Sequence, residues 1–310
     1  MIKKNFIALN FILFSLFSLF SCDSIIDLPD PVQFQEKIVL NGNLVLGSST
    51  VIIRLDVATA IEDNFDTLST ALSGATVKLK FDSTELMLEE TTVGSYEYRD
   101  SSFLIMSGKS YTIEVSDGVH DPITATTIVP YPISLVDISP ELKSGDTLVY
   151  IPAGDNAQFL DPYLFSFKVD PAIDGKFPPM IRLVNRALEP SKETMITEDN
   201  ELKALLFKWH GIGDDNEDDI NERIRTKNRV IFNSVDPDAE YKMGWIYYTF
   251  YGWQSFEVYA LDRAYYNYNI RNIEDSPTDP NFLPQSNVIG GYGLLVSSYR
   301  VNITFFLERP

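Results

Sequence analysis

The sequence predicts a mainly β chain built as two sandwich-like domains. Three observations predict it. Apolar and polar residues alternate over short runs, as in Thr76–Phe81, where Val77, Leu79 and Phe81 fall on one face. Turn residues separate these runs at short spacing, the pattern of an antiparallel sandwich. Sixteen Tyr and 20 Phe favour strands over helices. A hydrophobic content of 45% suffices for a packed core, and 310 residues accommodate two domains of ordinary size.

In the first domain, residues 37–131, the run 38–40 leads into Asn41-Gly42, which reads as a turn or bulge. Residues 51–57 are β-branched and partly alternating. After the polar stretch 63–73, strands follow at 76–81 and 86–88, then at 94–98 and 108–115, which both begin with Gly. A last strand at 123–129 is closed by Pro130-Tyr131-Pro132, the domain boundary, since Pro stiffens a linker and cannot continue a central strand. The run from Gly74 to Tyr111 resembles the Ig-like or carboxypeptidase-regulatory-like modules of secreted bacterial proteins, a resemblance of fold that implies no activity.

The second domain, residues 132–310, has longer strands and more irregular loops. Strands are expected at 164–170, 180–184, 202–209 and 229–232. Residues 245–259 hold eight aromatics in fifteen positions. One short helix is expected near 262–272, with Asp262 as its N-cap. The prolines at 277, 280 and 284 mark a loop. Residues 287–296 then enter a terminal hairpin, with 301–305 as the closing strand.

Residues 1–21 read as a signal peptide and 22–36 as a Pro- and Asp-containing tether. Lys3 and Lys4 precede an apolar run from Phe6 to Phe20, and Leu19-Phe20-Ser21 leads to Cys22, the only cysteine. At about 1.5 Å per residue these fifteen residues reach only ~22 Å, short of the ~30 Å hydrocarbon core. The arrangement resembles a bacterial lipoprotein signal with its lipobox. That resemblance implies lipid on the sulfur of Cys22 and an acylated amine, each buried CH₂ contributing about 0.8 kcal/mol to the anchor. The alternative is an ordinary signal peptide with Cys22 as a stray thiol. Loss of Lys3 and Lys4 takes the formal charge from −19 to −21 in the remaining 289 residues. So acidic a body argues against electrostatic binding of nucleic acid.

Together with the β-module and the Pro-Tyr-Pro joint, two further motifs carry a wider resemblance: a Tyr-rich helix after Ala260-Leu261-Asp262, and the stretch Asn287-Val288-Ile289-Gly290-Gly291-Tyr292-Gly293. The chain is similar to the family called domain of unknown function 4249. The resemblance implies a Bacteroidota outer-membrane lipoprotein, often encoded beside a TonB-dependent receptor. It supplies a location and a partner but no catalytic residue.

Candidate sites are few. Asp214, Asn216 and Asp218 occupy positions one, three and five of an EF-hand-like loop, and their oxygens suit calcium. Position six is Asp219 rather than Gly, and position twelve is Arg225 rather than Glu, so the alternative is a solvated acidic loop. With two histidines, His120 and His210, a His-rich zinc site is not expected. No Gly-x-Ser-x-Gly elbow is present. Gly290-Gly291-Tyr292-Gly293 lacks the Lys and helix of a phosphate loop and reads as a close approach of backbones. The aromatics of 245–259 read as core, with Trp253, beside Gly252, the candidate for ligand contact. No cofactor is expected. The function expected is a lipid-anchored, non-enzymatic binding or accessory protein serving a transporter. The alternatives are a surface adhesin or structural lipoprotein, and a hydrolase using acidic residues or a metal.

Overall fold

A computed structural model describes residues 36–59, 70–152, 161–173, 175–196, 228–234, 236, 239–271 and 285–310. The first seven strands are β1 (Ile38–Val45), β2 (Thr50–Val57), β3 (Thr76–Phe81), β4 (Thr84–Thr92), β5 (Ser95–Arg99), β6 (Ser110–Ser116) and β7 (Ile123–Ile128). They pair in the order β1-β2-β5-β4-β3-β6-β7, all antiparallel. β4 turns the corner, since its first half pairs with β3 and its second with β5. Every second residue points inward, so Leu40, Ile53, Leu55, Val77, Leu79 and Ile113 are fully buried in one aliphatic core. Burying each such side chain contributes about 1.5–3 kcal/mol. Phe81 sits at the rim of this core, its ring centroid 5.6 Å from Phe103 and 5.2 Å from Tyr111.

The turn expected at Asn41-Gly42 is not there. β1 runs straight through, and Gly42 serves packing instead: a Cβ there would lie 2.5 Å from Ile53 Cδ1 and 3.0 Å from Leu295 Cδ1. An Asn-Gly pair turns a chain only where positive φ is used, and Gly42 is not among the positive-φ residues.

Beyond Pro130-Tyr131-Pro132 come β8 (Ile133–Ser139), β9 (Thr147–Val149), β10 (Tyr163–Pro171), β11 (Met180–Ala187), β12 (Asn228–Ser234), β13 (Tyr241–Gly244), β14 (Gly252–Leu261), β15 (Val288–Ile289) and β16 (Tyr292–Glu308). A three-stranded sheet, β13-β10-β8, shares a second core with the large sheet at β11, β14 and β16. This core is aromatic. Phe165 meets Phe256 and Phe305 edge-on, with centroids 5.4 and 5.9 Å apart. Trp245, Tyr248 and Phe250 are also buried there or beside it, although they lie on a 3₁₀ turn (Trp245–Tyr247) and the segment after it rather than on a strand. The chain is thus mainly β and sandwich-like, as the alternation predicts.

β16 belongs to both halves. Its first seven residues pair parallel with β1, and residues 298–307 pair antiparallel with β14. This corrects the expected terminal hairpin: residues 288–289 pair with β7, and β16 then continues unbroken to Glu308. Val288 and Leu295 lie in the first core although they follow the second in sequence. The glycine stretch does mark a close approach of backbones, because a Cβ on Gly293 would run into the Leu40 carbonyl oxygen.

The expected helix is present as a short α-helix, α1 (Arg263–Tyr266), continued by a π turn over Asn267–Arg271. Among the described residues no helix is long and apolar enough to cross a membrane.

Candidate functional site

Period-two alternation gives β11, β14 and β16 two unlike faces. Inward go Leu183, Phe256, Val258, Ala260 and Phe305. The alternate residues Arg182, Val184, Arg186, Glu257, Tyr259, Ser298 and Arg300 take the opposite face. Register brings the charged ones together: Tyr259 stands between Arg182 and Arg300, and Glu257 is diagonal to Arg186 and Arg300.

Glu257 is only 3% exposed, yet both its oxygens are engaged. Tyr259 Oη donates to Oε2 at 2.5 Å and Ser255 Oγ to Oε1 at 3.3 Å. Arg186 Nε lies 3.6 Å and Arg300 Nη1 3.5 Å from Oε1. Burial, and donation to this carboxylate, raise the Tyr259 hydroxyl above its ordinary pKa. Arg182 Nη1 donates to Tyr265 Oη at 2.5 Å, and its guanidinium lies 5.8 Å from the centre of that ring. The Nε atoms of Arg182 and Arg186 are buried and hold no hydrogen bond. Beside the Glu257 cluster opens a cleft of about 270 Å³, walled by Arg182, Arg186, Tyr259 and Tyr265 and floored in part by Val184, Leu261 and Val296.

The Tyr265 wall is fixed from beneath by Asp262, which is 2% exposed. As N-cap of α1 its Oδ1 accepts from the Tyr265 N–H at 2.8 Å. Its Oδ2 accepts from the Ser297 N–H at 2.9 Å, from Ser297 Oγ at 3.2 Å and from Thr127 Oγ1. One carboxylate therefore ties α1 to β7 of the first half and to β16. Burial raises the Asp262 carboxyl above its ordinary pKa, and these donors oppose the rise.

The residues singled out by sequence fall elsewhere. Cys22 and the acidic trio Asp214, Asn216 and Asp218 lie outside the described residues, as does His210. Trp253 is half-buried and meets Phe306 edge-on at 5.6 Å, at the far end of β14 from the cleft. His120 Nδ1 lies 2.6 Å from Asp117 Oδ2 in a local turn. Among the described residues no three His, Cys, Asp or Glu side chains are grouped to hold a metal. Sequence reasoning missed the arginines. The one available signal was Arg182-x-x-x-Arg186, which alternation places on one face once the strand extends past Val184.

A family model described as Domain of unknown function (DUF4249) matches residues 25–302. No curated protein matches the sequence. Among solved structures, the chain is similar to a two-fibronectin type-III segment of chicken tenascin at 10% identity and a TM-score of 0.18, covering 74% of this chain and 92% of that one. It is also similar to trypsin-activated α-2-macroglobulin from Escherichia coli at 12% identity and a TM-score of 0.20, covering 74% of this chain and 15% of that one. At those scores neither likeness carries an argument.

Proposed function

This chain belongs to the DUF4249 family, and from that premise we propose that it is a lipid-anchored, non-enzymatic binding or accessory protein of the cell envelope. The observation that carries the binding role is the outer-face cleft. Its walls offer guanidinium and hydroxyl groups, while Glu257, the carboxylate beside it, is occupied by Tyr259, Ser255, Arg186 and Arg300. Such a lining suits holding a ligand better than attacking one. The location rests on the sequence of residues 1–22, whose charge, apolar run and terminal cysteine support an anchor on Cys22 in the outer membrane. The protein then sits beside a TonB-dependent receptor of a Bacteroidota envelope and serves nutrient uptake.

Affinity purification of the full chain from a mildly solubilised outer membrane tests this. A β-barrel receptor is expected to co-purify. Recovery of the lipoprotein alone, under conditions that keep other receptor complexes intact, would sink the partner role.

A further inference from the structure

We infer that the cleft between β11, β14 and α1 binds a small organic molecule through a single carboxylate group. The inference rests on the binding role above and names its ligand class. Two guanidiniums, of Arg186 and Arg300, flank the Glu257 carboxylate, and a third, of Arg182, lines the cleft with Arg186, on a protein whose formal charge is strongly negative at −19. Among the described residues these three guanidiniums outnumber the one carboxylate paired with them, that of Glu257. Arg182 Nε is buried with no hydrogen bond, and Arg186 Nε has only the long 3.6 Å approach to Glu257 Oε1. A buried donor without an acceptor costs about 1–3 kcal/mol, so a ligand oxygen that reached it would recover that cost on binding. A guanidinium fork presents two parallel N–H groups, and the planar group that matches it is a carboxylate.

The remaining walls select the body of the ligand. Val184, Leu261 and Val296 are apolar, and the rings of Tyr259 and Tyr265 offer flat faces. The volume of about 270 Å³ admits a small molecule rather than a polymer. The surrounding acidic body repels polyanions such as nucleic acid, whereas a single carboxylate gains more from the local arginines than it loses to the distant field. Arg182 is already oriented, by its hydrogen bond to Tyr265, and Tyr265 is held in turn by the Asp262 cap. The recognising fork is therefore in place before a ligand arrives, which spares the entropy of ordering it.

Benzoate is the probe, with benzyl alcohol as its uncharged counterpart and inorganic phosphate as a non-planar oxyanion. Each is titrated into the full mature chain and followed by calorimetry and by the shift in Tm. Benzoate is expected to bind and to raise Tm with concentration, and benzyl alcohol to do neither. Arg182→Met, which keeps the apolar stem, is expected to weaken benzoate at least tenfold. Arg186→Met, at a side chain 37% exposed and so tolerant of change, is expected to weaken it as well, and guards against a folding defect in the first variant. Benzoate binding no better than benzyl alcohol would overturn the inference. So would phosphate binding more tightly than benzoate, or benzoate affinity unchanged in both folded variants. Recovery of a receptor partner is independent of this titration, so failure here and failure of the envelope role are separately visible.

Discussion

Phe256 and Glu257 are neighbours on one strand, and they face opposite ways with opposite consequences. Phe256 enters an aromatic core where Phe165 and Phe167 meet it at 5.4 and 5.3 Å. Glu257 enters a polar cluster that is nearly as well hidden from solvent. Both faces of the sheet are thus buried at this point, but the inner one holds the fold while the outer one positions donors around a cleft. Burial alone therefore does not say which side of a strand is structural; the chemistry of what is buried does.

Substitutions ought to separate the two faces. Phe256→Ala leaves a cavity among the core rings and is expected to lower stability by about 3–5 kcal/mol in urea unfolding. Asp262→Asn comes next, at about 1–3 kcal/mol. Both carboxylate oxygens face a backbone N–H, from Tyr265 and Ser297, so an amide nitrogen must meet one donor head-on whichever way it turns. That site also carries a pH signature. The folded carboxyl titrates above its unfolded value of 3.8, so the folded form binds the proton more readily. Stability from this group then falls as pH rises from 3.8 through the folded value. The advantage of wild type over Asp262→Asn should shrink over that window; an advantage that grows would contradict the assigned direction.

On the outer face the effects should be smaller. Glu257→Gln keeps the shape but removes the charge facing Arg186 and Arg300, for an expected loss of about 0.5–1.5 kcal/mol by the same unfolding measurement. Arg300→Met, at a side chain 50% exposed, should change stability by less than about 0.5 kcal/mol. If it costs as much as Phe256→Ala, the division between a structural and a binding face fails.

Much of the inner face was legible in the sequence. Val77 and Leu79 alternate with Lys78 and Lys80, and both are fully buried. Asp262 announced its helix by residue type and position, and it caps it. The outer cluster was not legible, because Arg182, Glu257 and Arg300 are brought together by register between strands far apart in the chain, and no local spacing encodes that. The Asn41-Gly42 pair misled for a related reason. Its glycine answers to Ile53 and Leu295 packing above it, which is a tertiary demand that local turn chemistry cannot reveal. β16 misled through its length: an interrupted apolar pattern read as two hairpin strands, whereas one strand changes partners midway, from β1 to β14.

The proposed function has this body work at a membrane, held by lipid on Cys22. Mass spectrometry of the N-terminal peptide, from protein extracted out of the membrane fraction, tests it most directly. The expected result is a chain beginning at Cys22 whose mass carries a diacylglyceryl group on sulfur and an acyl group on the amine. A free Cys22 thiol, or a mature chain beginning at another residue, would contradict it.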